Sequence, residues 1–120
     1  MFDLQKRKKM TTPKSTTSKT AFKSTESRTF KTGQGWNHTQ HGSLGEFKIR
    51  ILIYRDSYDS QSYARLDVWS TAKMEWSRVH SIPYPEMKSL TVSAYGNSAT
   101  AANFAADMND LIKNAITILF

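Results

Sequence analysis

The chain has no cysteine among its 120 residues. Disulfides and thiolate metal sites are therefore excluded. It has no run of about 18 or more apolar residues, the length a membrane-spanning helix needs. Its first nine residues, Met1–Lys9, carry no apolar core of the signal-peptide kind, so export by the usual route is not expected and a cytoplasmic chain is. Nucleoid or nuclear placement is the variant of that reading if the partner is nucleic acid. Proline occurs three times and glycine five, four of the five glycines falling between residues 33 and 45. Acidic residues number only ten against seventeen lysines and arginines.

That imbalance is local. Residues 1–45 hold Lys6, Arg7, Lys8, Lys9, Lys14, Lys19, Lys23, Arg28 and Lys31 against Asp3 and Glu26, whereas residues 46–120 are neutral overall. A basic segment attached to a neutral body suits a polyanionic partner such as DNA, RNA or an anionic surface. Residues 1–32 are rich in Lys, Ser and Thr and poor in core-forming side chains, which reads as a disordered arm. Residues 33–45, with Gly33, Gly35, Gly42 and Gly45, read as a flexible linker. Trp36 is out of place in a linker and is expected to pack back onto the folded part. Two aromatic–basic–hydroxyl triplets, Phe22-Lys23-Ser24 and Phe30-Lys31-Thr32, echo each other within the arm.

The domain expected over residues 46–120 opens with a near-strict alternation. Phe47, Ile49, Ile51 and Ile53 occupy one face of a strand, and Lys48, Arg50, Leu52 and Tyr54 the other. A polar, turn-rich stretch, residues 55–61, follows. Residues 62–70 alternate again, with Ala64, Leu66 and Val68 opposite Tyr63, Arg65, Asp67 and Trp69. A third strand is expected over residues 74–82 and ends at Pro83, because proline cannot continue a ladder. Residues 90–95 fit either a short fourth strand or a loop.

From Ser98 the period changes to that of a helix. At about 100° per residue, Phe104, Ala105, Met108, Leu111, Ile112, Ala115, Ile116 and Leu119 share one arc, opposite Asn103, Asp107, Asp110, Lys113, Asn114 and Thr117. Asn97 or Ser98 is the expected cap. The economical arrangement is α+β: an antiparallel three- to four-stranded meander covered on one face by a single C-terminal amphipathic helix. The apolar arc is wide, with Ile118 and Phe120 at its edges, so homodimerisation through the helix of residues 98–120 is a partner reading to test.

Chemistry of the catalytic kind is not marked. His38 and His41 are a histidine pair without further ligands nearby. His80 has no nucleophile or orienting acid beside it in sequence. Asp56 and Asp59 lack calcium-loop spacing and suit a turn. Gly33-Gln-Gly35 lacks the helix and lysine of a phosphate-cradling loop. The sequence is thus read as non-enzymatic, with no metal or cofactor.

The informative feature is the strand face turned away from the helix. It would carry Lys48, Arg50, Tyr54, Tyr63, Arg65 and Trp69, with Trp76, Arg78 and His80 joining if the third strand has the right register. Cations that track phosphates among flat rings that stack on bases are how single-stranded nucleic acids are held. The expected site therefore combines this face with Lys6, Arg7, Lys8, Lys9, Lys14, Lys19 and Lys23. The order of elements, a basic tail, a meander and a C-terminal helix, resembles in outline the Whirly and transcriptional-coactivator group of single-strand DNA binders. The resemblance lies in element order and domain size, and no functional residue is carried over from it. The second reading, from a different class, is a protein-interaction module such as an accessory or inhibitor protein of a virus or mobile element.

Overall fold

A computed structural model describes residues 21–95 and 99–120. Lys6, Arg7, Lys8, Lys9, Lys14 and Lys19 lie outside the described residues, as do the expected caps Asn97 and Ser98. Five antiparallel strands form one sheet in simple meander order: β1 (Phe22–Thr32), β2 (Gly35–Leu44), β3 (Phe47–Asp56), β4 (Tyr63–Ser70) and β5 (Glu75–Ile82). One helix, α1 (Ala105–Leu119), follows a single 3-10 turn over Ala101–Phe104. Between β5 and this turn, residues 84–91 make two further 3-10 turns rather than a strand.

The α+β class with a C-terminal helix stands, but the strand count is five rather than three to four. The two additional strands occupy residues expected to be arm and linker, so among the described residues the folded unit starts at Phe22 and not at Glu46. The physical reason lies in what β2 turns inward. Its residues Trp36, His38, Gln40 and Leu44 are buried. Their alternation is real but half polar, and so gives no hydrophobic period. His38 and Gln40 are admitted to the core because they satisfy each other and a neighbour. His38 Nε2 lies 3.0 Å from Gln40 Oε1, and Nδ1 lies 2.8 Å from Thr29 Oγ1. With Gln40 Oε1 as acceptor, Nε2 carries the proton and Nδ1 accepts from the threonine hydroxyl. Two of the linker glycines, Gly35 and Gly42, are strand glycines. A Cβ on Gly42 would sit 2.2 Å from the Lys23 carbonyl oxygen and 2.7 Å from the Phe22 ring, which lies over it. Gly45, at φ 59°, makes the two-residue turn between β2 and β3.

The alternation of β3 holds as expected. Ile49, Ile51 and Ile53 are fully buried, and with Ala64, Leu66 and Ile82 they meet Phe104, Leu111 and Ala115. Burial of each large apolar side chain contributes roughly 1.5–3 kcal/mol. Phe104 packs flat on His38, ring centroids 5.6 Å apart and planes 7° apart, so one ring closes the core over both halves of the sheet. The cap falls at Thr100, two to three residues after the expected caps, and it closes the 3-10 turn that leads into the helix. Thr100 and Asn103 form a reciprocal capping box, with the Thr100 amide donating to Asn103 Oδ1 at 2.8 Å.

Asp107, expected on the polar side of the helix, is completely buried. Its carboxylate accepts the backbone amides of Lys88 and Ser89, both at 2.8 Å. It thereby supplies a cap for the turn at residues 88–91 that this turn's own residues do not provide. No helix among the described residues is long and apolar enough to cross a membrane.

Phe104 is the shared contact of β2, the sheet centre and α1. Phe104→Ala should therefore cost about 3–5 kcal/mol of unfolding free energy, as for other buried phenylalanines. Urea denaturation followed by circular dichroism measures it. A cost below about 1 kcal/mol would mean that the ring does not close the core.

Candidate functional site

With α1 and the segment of residues 84–95 covering one face, the opposite face of the sheet is laid out by its registers. Directly paired residues point to the same side. Tyr54 pairs with Tyr63, Leu52 with Arg65, and Arg50 with Asp67. Trp69 pairs with Trp76 and Asp67 with Arg78. Lys48, Arg50, Tyr54, Tyr63, Arg65, Trp69, Trp76 and Arg78 thus share the face away from the helix. His80 does not join them. A bulge between Leu66 and Asp67 leaves Val79 as the extra residue of β5, and His80 pairs with the buried Leu66 on the helix side. The same bulge resolves the register of β5, whose alternation is ambiguous when read from sequence.

β1 and β2 extend the face beyond what the sequence suggested. Phe30 pairs with Asn37, which pairs with Tyr54; Arg28 pairs with Thr39, which pairs with Leu52. His41 pairs with Arg50, and Glu26 with His41. Lys23, expected in the arm, sits on β1 opposite Ser43, which pairs with Lys48. Arg28, Phe30 and His41 were missed because they lie in residues read as arm and linker. The alternation Glu26, Arg28, Phe30, Thr32 was the available signal. The face carries Lys23, Arg28, Lys48, Arg50, Arg65 and Arg78 against Glu26, Asp56 and Asp67, an excess of three positive charges.

The cations are held against rings. Trp69 and Trp76 meet edge to face, centroids 5.4 Å apart. The Arg50 guanidinium lies 4.6 Å from the Trp76 centroid, and Lys48 Nζ is 5.7 Å from Trp69 and 6.0 Å from Trp76. At the other end, Tyr54 and Tyr63 are 5.6 Å apart. Arg65 approaches the Tyr63 ring at 5.4 Å, and Arg28 lies over Phe30 at 4.4 Å.

Asp67 sits beneath this layer. Its side chain is 5% exposed, and its Oδ2 takes Arg50 Nε at 2.8 Å and faces Arg65 Nε at 3.7 Å. The carboxylate orients both guanidiniums from below while hidden from anything that approaches from solvent. Arg65 Nε is itself buried without a hydrogen-bond partner among the described residues.

The end of the face near Tyr54 is fixed by a second carboxylate. The Tyr54 hydroxyl donates to Asp56, whose other oxygen accepts the Tyr58 amide at 2.9 Å. The Asp56 amide donates to Ser62 Oγ at 2.9 Å, so one residue closes the whole β3–β4 loop. Chiefly through the tyrosine hydroxyl, and then through the Tyr58 amide, the Asp56 carboxyl is held below the usual carboxylate range. The same hydrogen bond pushes Tyr54 up. Arg55 ties this loop to the next, donating to the Val92 carbonyl and to Asp59, at 2.8 and 2.9 Å. Asp56 and Asp59 are thus turn residues.

His38 and His41 point to opposite faces of β2, since His38 pairs with the buried Ile53 and His41 with Arg50. They cannot share a metal ion. Among the described residues no three His, Asp or Glu side chains are grouped to hold one. No family model, no curated protein and no solved structure matches the chain.

Two outcomes are expected. Asp67→Asn removes the charge under two arginines and should lower stability by about 1–3 kcal/mol, the cost of leaving buried donors poorly matched, as read from thermal melts. An unchanged melting temperature would show that Asp67 is not the anchor. For Asp56, a depressed carboxyl contributes stability at pH values above its unfolded value of about 4, and that contribution disappears as pH falls through the lower folded value. Urea midpoints measured down to about pH 2 should fall less steeply for Asp56→Asn than for the wild type. Parallel curves would remove this carboxyl from the acid limb.

Proposed function

We propose that the protein is a non-enzymatic nucleic-acid-binding protein whose sheet face takes a single strand. The observation that carries this reading is the paired Trp69 and Trp76 with Lys48 and Arg50 laid against them, on a face with three excess positive charges. Rings offer any base a stacking surface, and neighbouring cations meet the phosphates that follow it. The lysines and arginines at positions 6–19 add a sequence-independent attraction through counterion release. A single strand is favoured over a duplex because stacking needs free base faces, which a duplex keeps inside its own stack.

A protein partner is the second reading, and one feature favours it. At the end of the sheet, Phe47, Trp69, Ala72 and Phe120 line an open groove of about 990 Å³ beside Lys48. Ile118 of α1 is exposed, and Phe120 just beyond the helix stays exposed although its ring meets Phe47 edge to face, so a second copy docking by this end also belongs to this reading.

Trp69→Ala and Trp76→Ala should each weaken binding of a single-stranded oligonucleotide by roughly 1–3 kcal/mol. The logarithm of affinity should also fall linearly with the logarithm of salt concentration. Fluorescence anisotropy titrations measure both. If the variants remain folded and bind nucleic acid as the wild type does, the face serves something else.

A further inference from the structure

The side chains of this face fall into four rows across the strands. Trp69 and Trp76 form the first. Arg50 and Arg78, both aligned with Asp67, form the second. Arg65 lies in the third, in register with Leu52 and Thr39 and so with Arg28. Tyr54 and Tyr63 form the fourth. The order from one end to the other is aromatic, cationic, cationic, aromatic.

Successive rows are two residues apart along a strand, which is about 6.6–6.8 Å. A peptide residue spans about half that distance with three backbone bonds. A nucleotide has six, so a fully extended nucleic-acid strand advances by nearly the same distance per nucleotide as the sheet does per row. A stacked duplex advances only about 3.4 Å per base pair and cannot keep step with the rows.

Resting on the nucleic-acid reading above, we propose that the face is a four-nucleotide site for an extended single strand lying along β4, with one nucleotide per row. The terminal bases stack on the Trp69–Trp76 pair and on the Tyr54–Tyr63 pair. The backbone between them passes over the arginines of the two middle rows. Asp67 keeps two of those arginines, Arg50 and Arg65, in place without presenting its own charge to the phosphates, because it is 4% exposed. The fit is to a sugar-phosphate backbone with unpaired bases, and nothing in the rows selects among base edges.

The test is a length series. Full-length protein is titrated with oligothymidylates of about two to about ten nucleotides and with a blunt DNA duplex, at raised salt to screen long-range attraction. Affinity should climb steeply up to four nucleotides and then rise only gradually, as longer strands offer more overlapping positions. The step from three to four should be worth about 5- to 150-fold, the value of one stacked base. Duplex should bind far more weakly than the four-nucleotide strand. Tyr63→Ala should remove one end row and move the step to three, whereas Tyr63→Phe keeps the ring and should leave it at four. A step at another length, duplex binding as tight as single-strand binding, or Tyr63→Ala leaving the step in place would overturn the four-row site while nucleic-acid binding stood. Failure of every oligonucleotide to bind, the longest included, would overturn the nucleic-acid reading itself.

Discussion

Everything on the exposed face follows from the burial of three isoleucines. Ile49, Ile51 and Ile53 are withdrawn from water against Phe104, Leu111 and Ala115. A strand has a period of two, so the residues between them have no choice of side. A slip of one residue would expose the isoleucines and bury Lys48 and Arg50, which excludes it energetically. The register of β4 on β3 then carries Tyr63, Arg65, Asp67 and Trp69 to the same side. The basic and aromatic face is the obligatory reverse of the core.

This constraint also explains which parts of the molecule could be read from the chain. β3, β4 and α1 each advertise their period with apolar residues; β3 and β4 form where the period places them, and α1 forms over Ala105–Leu119 rather than from Ser98. β1 and β2 do not. β1 is exposed along nearly its whole length, and the inward side of β2 is built from Trp36, His38, Gln40, Gly42 and Leu44. A polar core strand is stable only when its groups find partners, and His38 finds Thr29 on one side and Gln40 on the other. One of these bonds joins residues by register across strands and the other joins i and i+2 of one strand, and neither leaves a hydrophobic period in the sequence. Composition that resembles a flexible segment can therefore encode a strand whose burial is earned by hydrogen bonds.

The site was legible to a similar degree. The eight expected residues from Lys48 to Arg78 do share one face, because their strands have clear periods. His80 was misplaced by a bulge, which shifts parity without altering composition. Arg28, Phe30 and His41 were lost with the strands that carry them. In the sequence Asp67 is only one more residue of the outward alternation of β4. In the fold it is a buried counter-ion beneath Arg50 and Arg65, and its sign is what keeps two guanidiniums at fixed positions.

Fixed cations and free cations do different work. A lysine on a solvated segment follows its phosphate and contributes mainly through counterion release, with little demand on geometry. An arginine pinned between a carboxylate and an indole ring has already lost much of its rotamer freedom, so less is forfeited when a ligand arrives. Lys48, Arg50, Arg65 and Arg28 are all laid against rings, at 4.4–6.0 Å from their centroids. Each of these rings thus holds a cation against it. On the proposed nucleic-acid reading, a base stacking there would meet a positive charge already in place beside its phosphate. If the face holds a single strand as proposed, its affinity depends on spacing as well as on charge, and the row repeat of the sheet sets that spacing.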